Sequence, residues 1–201
     1  MGDNVTLTRC HWFYDNPSEQ NYHDEEWGVP LYDDKKHFEF LVMEVFQCGL
    51  SWGLMMKKRQ IFRTCFANHD FNIVAKFSDS DVKQIYDVDG MIKSETKIRA
   101  IINNAKAFCM IVEEFGSFSN YIWSFSDNKI LIYKKHRHGN WETKNDISIA
   151  LAHDLKKRGC KFLGPVVLYS HLQACGIIND HEPECFRYKA IENLPNVRFI
   201  D

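Results

Sequence analysis

The feature that most constrains the fold is a stripe of apolar residues at helical spacing. Ile98, Ile101, Ile102, Ala105, Phe108, Cys109 and Val112 recur every three or four positions. Such a stripe covers one face of an α-helix and has to be buried against other elements. A second stripe, Phe38, Leu41, Val42, Val45 and Phe46, has the same period and would end near Gly49. Apolar positions resume from Leu54 to Phe66, with Lys57, Lys58 and Arg63 on the polar face of a further helix. Ser78-Asp79-Ser80-Asp81 supplies an N-cap with carboxylates in the first turn, which predicts a short helix through Val82, Ile85 and Tyr86 that stops at Asp89-Gly90. Another helix is predicted from Asp146 through Ile147, Leu151 and Leu155 to Lys156-Lys157-Arg158, closed by Gly159. A last apolar helix runs from about Pro165 to Cys175 and ends at Gly176. The segment before Phe38 reads as irregular and aromatic-rich, and Ile130-Leu131-Ile132-Tyr133 reads as either a short strand or a buried loop. The expected class is all-α.

At 201 residues the chain is expected to form one domain over residues 1–201, or two lobes sharing a core. No apolar run approaches the ~20 residues of a membrane span, and Met1-Gly2-Asp3-Asn4 lacks the regions of a signal peptide, so a cytoplasmic protein is expected. Seven scattered cysteines argue against a disulfide framework. The formal charge of -2 does not by itself announce a nucleic-acid partner. Basic residues nevertheless cluster at Lys57-Lys58-Arg59, Lys134-Lys135-His136-Arg137-His138 and Lys156-Lys157-Arg158. Solvated helix ends explain each cluster as well as a positive face does.

Four constellations carry possible chemistry. Cys10, His23, His181 and Cys185 are ligand types that suit tetrahedral zinc, although their spacing makes no recognised zinc motif. If they met, the metal would staple the two ends of the chain and leave no open coordination position. Glu44 lies within an apolar helix, flanked by Phe40 and Met43 on the side away from the main stripe, and a semi-buried carboxylate is expected. It needs either an internal partner or a ligand bearing donors and positive charge. Trp12, Phe13, Tyr14, Tyr22, Trp27 and Trp52 form an aromatic concentration, which is either core or the wall of a pocket for a flat heterocycle. Finally, Asp89-Gly90-Met91-Ile92 joins two helices in a turn of the kind that can hold a DNA phosphate; Gly90 in it and Lys97 beyond it are the candidates for DNA contact.

Arg9-Cys10-x-Trp12, Tyr22-His23-Asp24-x-Glu26-Trp27-Gly28-Val29-Pro30, Glu44-x-x-Gln47-x-Gly49-Leu50-Ser51-Trp52 and Gln173-Ala174-Cys175-Gly176-x-x-Asn179-Asp180-His181 together resemble the bacterial 3-methyladenine DNA glycosylase I family. Trp123-Ser124-Phe125 and Leu155-Lys156-Lys157-Arg158-Gly159-x-Lys161-Phe162-x-Gly164 add to the resemblance, which extends from about Arg9 to Cys185. It implies a helical bundle of the helix-hairpin-helix superfamily with a zinc-stapled terminal region. Cys10, His23, His181 and Cys185 fall on the family's ligands to one structural zinc ion. It implies that Trp12, Tyr22, Trp27 and Trp52 surround an extruded base, that Glu44 is the catalytic or base-recognising carboxylate, and that Gly49-Leu50 approach the gap in the duplex. The implied activity is monofunctional hydrolysis of the N-glycosidic bond of 3-methyladenine in alkylated double-stranded DNA by a monomer, with free 3-methyladenine as product. The alternative is a non-catalytic DNA-binding member of the same fold. The chain departs from the family pattern at Phe46-Gln47-Cys48-Gly49, at Met91-Ile92-Lys93-Ser94-Glu95, and at Glu19, which stands where a pocket tyrosine is usual.

Overall fold

A computed structural model describes residues 7–12, 17–136 and 142–201. Phe13 and Tyr14 of the aromatic group, Arg137 and His138 of a basic cluster, and Met1-Gly2-Asp3-Asn4 lie outside the described residues. Helices dominate: α1 (Pro17–Glu25), α2 (Asp34–Gln47), α3 (Trp52–Cys65), α4 (Phe71–Val74), α5 (Asp79–Asp87), α6 (Glu95–Phe115), α7 (Phe118–Ser124), α8 (Asp146–Lys157), α9 (Pro165–Ala174) and α10 (Phe186–Glu192). None of them is long and apolar enough to cross a membrane.

The centre of the architecture is α2. It packs on α3, α6, α7 and α9, and every residue from His37 to Phe46 is buried. A helix covered on all sides belongs to the interior of a fold. Asp33 accepts a hydrogen bond from the Lys36 N–H and starts the helix. The longest stripe forms α6, begun by Ser94 accepting from the Lys97 N–H and stopped by Gly116 at φ +81°. Ser78 and Asp81 make the reciprocal cap that starts α5. Phe38, Phe71, Phe108 and Phe118 interlock where α2, α4, α6 and α7 meet, with Phe108 and Phe118 stacked at 3.9 Å between centroids.

The expected helical class holds, with one addition: a small parallel sheet of β1 (Ile130–Tyr133) and β2 (Val197–Ile200), in register Ile130 with Val197. β-Branched and aromatic residues suit a pleated, half-buried surface, so the strand reading of Ile130-Leu131-Ile132-Tyr133 is the correct one. Its partner lies far along the chain, where no local pattern announces it. The irregular opening is corrected: Pro17 sits at the first turn of α1, a polar helix without an apolar stripe. The helix ending at Ala174 is not the last, since α10 follows.

Gly176 closes α9 at φ +75°, and a Cβ there would lie 2.6 Å from the backbone of Val29 and Pro30. Only glycine allows the Gly28-Val29-Pro30 turn to press against the end of α9. Gly28 N–H donates to Ala174 O at 3.3 Å and Leu31 N–H to Cys175 O at 3.0 Å. This contact brings the Gly28-Val29-Pro30 turn against the end of α9 and so builds one wall of the site below.

Candidate functional site

Trp12, Tyr22, Trp27, Glu44, Gln47, Trp52, Ser170, Gln173 and Asp180 line a cavity of about 220 Å³. That is roughly seven water volumes, the scale of one flat heterocycle. Tyr22 comes from α1, Glu44 and Gln47 from the last turn of α2, Trp52 from the start of α3, and Ser170 and Gln173 from α9. The indoles of Trp12 and Trp27 stand 5.1 Å apart at 65°, and the rings of Tyr22 and Trp52 5.1 Å apart at 46°. Tyr22 also meets Phe40 edge-on at 5.9 Å, which fixes its plane from behind. The structure therefore brings together the four aromatic residues and the glutamate singled out in the sequence.

Glu44 is 4% exposed, so the carboxyl group is fully buried where a semi-buried one was expected. Among the described residues no cation or hydrogen-bond donor engages its carboxylate. Desolvation alone pushes its pKa up to about 8. The contrast with Glu39, five residues earlier on the same helix, is instructive. Glu39 accepts from Arg59 Nε at 2.8 Å and lies 3.0 Å from Lys36 Nζ and 3.1 Å from Arg63. Although burial opposes ionisation, the Arg59 and Lys36 charges hold the Glu39 carboxyl down to about 2. The cations near α2 are thus committed to Glu39 and Glu26, the latter gripped by Arg59 through two bonds of 2.7 and 2.6 Å. One further polar group in the cavity wall is unsatisfied: the buried Trp52 Nε1–H has no partner among the described residues.

Sequence reasoning did not nominate Gln47, Ser170, Gln173 or Asp180. Asp180 is buried and accepts from Tyr169 Oη at 2.7 Å and Gln173 Nε2 at 2.8 Å, with His136 Nδ1 at 2.8 Å from its other oxygen. The available signal was the i, i+3 polar pair Ser170 and Gln173 on a largely apolar helix.

Cys10, His23, His181 and Cys185 are all buried, and their ligand atoms lie within 4.8 Å of one another. Cys10 Sγ is 3.4 Å from His181 Nδ1, and Cys185 Sγ is 3.5 Å from His23 Nε2 and 3.6 Å from His181 Nδ1. Tetrahedral zinc with about 2.3 Å bonds to sulfur and 2.0–2.1 Å to nitrogen would separate unlike ligands by about 3.5 Å, so the set fits such an ion. The outer ring nitrogens are held as metal ligands require: His23 Nδ1 lies 2.8 Å from Asp24, and His181 Nε2 donates to Trp27 O at 3.0 Å. Through that last bond the cluster braces a cavity-lining tryptophan.

The remaining candidates lie outside the lining of the cavity. Gln47 and Trp52 both line it, and the loop between them carries Gly49 at φ +83° and Leu50, which is 41% exposed. Lys97 does not stand free: its Nζ donates to Phe46 O at 2.9 Å and Cys48 O at 3.0 Å, tying α6 to that loop. Gly90 lies in the α5–α6 turn at φ +74°, where a Cβ would meet Ile61 of α3 at 2.9 Å. The acidic Glu95 of this turn is paired with Arg99 at 2.8 Å. Arg59 and Arg158, from two of the basic clusters, are consumed by carboxylates.

The family model described as methyladenine glycosylase matches residues 12–188. The chain is 39% identical over 182 residues to DNA-3-methyladenine glycosylase 1 of Escherichia coli (strain K12), covering 90% of this chain and 97% of that protein. A crystal structure of 3-methyladenine DNA glycosylase I superposes with a TM-score of 0.85 at 41% identity, covering 89% of this chain and 98% of that one. A variant of 3-methyladenine DNA glycosylase I in complex with 3-methyladenine superposes at 0.84 with 32% identity, over 89% of this chain and 96% of that one.

Proposed function

The chain belongs to the methyladenine glycosylase family, and from that premise we propose that it excises 3-methyladenine from alkylated double-stranded DNA, acting as a monomer by hydrolysing the N-glycosidic bond. The observation that carries this reading is the Glu44 carboxyl group, buried with no partner among the described residues in a cavity walled by Trp12, Tyr22, Trp27 and Trp52. A neutral purine gives such a carboxylate little reason to ionise. A purine methylated at N3 while still joined to its sugar is a cation with an exocyclic amine, and it supplies both the charge and the donor that Glu44 lacks. Stacking between the rings adds about 1–3 kcal/mol, and cation–π attraction favours the methylated base further. The positive charge has already weakened the glycosidic bond, so the base leaves without a strong general acid and water takes its place on the sugar. Extracting the nucleotide from the stack is the larger task.

The surroundings support the same division of labour. Leu50 is an exposed apolar side chain on the loop between Gln47 and Trp52, placed to fill the gap left in the duplex. The α5–α6 turn around Gly90 would receive the phosphate backbone, as a helix-hairpin-helix motif does. Lys97 acts by holding the Leu50 loop. Cys10, His23, His181 and Cys185 would hold one zinc ion whose role is structural, because four protein ligands leave no site for water.

The deciding experiment is chromatographic detection of free 3-methyladenine released from methylated DNA by the pure protein, with an active homologue alongside. Release above the spontaneous rate is expected. Salt-dependent DNA binding with no release would instead favour the non-catalytic reading.

A further inference from the structure

The central helix buries a second polar group that the base site does not use. His37 stands two turns before Glu44, and its ring packs against His171 of α9, with His37 Nδ1 3.3 Å from His171 Nε2. The residue ending α9, Cys175, completes a buried trio whose ligand atoms lie within 4.8 Å of one another. None of the three belongs to the terminal Cys/His cluster or lines the cavity.

The hydrogen bonds fix the protonation of the trio. Leu31 O can only accept, so His37 Nε2–H donates to it at 3.1 Å, leaving Nδ1 as a bare acceptor. His171 Nε2–H therefore donates to His37 Nδ1, and His171 Nδ1 is left buried with no partner among the described residues. The Cys175 thiol has only a weak contact, 3.7 Å from Leu172 O. We propose that His37, His171 and Cys175 form a binding site for one monovalent soft cation of the copper(I) type.

Three arguments lead there. Nitrogens bound about 2.0 Å from one ion at trigonal or tetrahedral angles lie about 3.3–3.5 Å apart, so the His37–His171 spacing already fits a shared ion. His37 carries the backbone hydrogen bond on its outer nitrogen that orients a metal-bound imidazole. Two imidazoles and a thiolate are the soft, three-coordinate set that copper favours. Charge then selects the oxidation state: copper(I) with one thiolate is neutral, as a core position demands, whereas zinc would leave a net positive charge. Among the described residues no other His, Cys, Asp or Glu joins the trio to supply zinc's fourth ligand. Burial keeps both imidazoles neutral and therefore able to ligate, and holds Cys175 as a thiol until a cation displaces its proton. Binding is balanced by release of that one proton, while the His171 ring proton moves from Nε2 to the vacant Nδ1. No electron is transferred.

The test presents copper(I) anaerobically as its coloured bicinchoninate complex to the full-length protein, leaving the terminal cluster intact. Wild type is expected to withdraw one equivalent more than His171→Phe and than Cys175→Ser. Ring-nitrogen NMR of the wild-type protein is the second readout, and it decides alone should either variant fail to fold. The His37 and His171 signals should shift on loading, whereas those of exposed His153 should not. Equal uptake by wild type and folded variants, or unmoved His37 and His171 signals, would overturn the assignment. So would an extra equivalent of zinc taken in preference to copper(I) by wild type alone.

Discussion

Glu44 and Glu39 show how far environment separates identical side chains. The pKa of Glu44 is raised from 4.5 to about 8, so its folded form stays protonated while the unfolded chain ionises, and stability is lost as pH climbs from about 4.5 towards 8. Glu39 is lowered to about 2; its contribution is present above 4.5 and fades as pH falls towards 2. Glu44→Gln should therefore raise stability at pH 7.5, on the order of 1–3 kcal/mol, while cutting base excision at least tenfold. Thermal melts and release assays on the same preparation check both halves, and a variant that is less stable yet fully active would refute the assignment of Glu44. Because the cation that pairs with the ionised carboxylate is the N3-methylated nucleotide still joined to its sugar, kcat/KM for excision from DNA should rise with pH up to about 8 and then level off; release rates across that range measure it. The position of Glu44 was legible in the sequence, since a lone carboxylate interrupts an apolar period. Its isolation was not, because whether Arg59 or Lys36 reaches it depends on the packing of α3 against α2.

At the scale of elements, periodicity located α2, α3, α5, α6, α8 and α9 because each buries one stripe or more. It missed α1, whose buried Tyr22 and His23 are adjacent in sequence, and β2, whose pairing with β1 spans most of the second half of the chain. The Arg59 bridge from α3 to α2 and to Glu26, just past the end of α1, is a test of how these elements are held. Arg59→Met leaves the buried Glu39 with weaker partners and should cost about 3 kcal/mol, read as a lowered denaturation midpoint. Lys97→Met should act differently, since it frees Phe46 O and Cys48 O at the end of α2. Excision from duplex DNA should fall several-fold, whereas affinity for the free base, which needs no duplex contact, stays within about twofold. Equal losses in both assays would show that Lys97 supports the cavity rather than the Leu50 loop.

Across the whole molecule, the ends of the chain meet at Cys10, His23, His181 and Cys185, and Phe186 N–H donates to Thr8 O at 3.0 Å. The sequence contained these ligand types, but their spacing carried no motif; the family resemblance, not local pattern, grouped them. Elemental analysis should find zinc near one atom per chain at this cluster, and Cys185→Ala should lower both zinc content and melting temperature. An unchanged zinc content in that variant would place the metal elsewhere. Asp180 and the His181 bond to Trp27 O make the cavity depend on this meeting of termini. Because the wall that contains Trp12 and Trp27 is braced by a histidine 154 positions beyond Trp27, a nascent polypeptide lacks a finished base pocket until residue 181 has left the ribosome. A product terminated before His181 consequently lacks that brace.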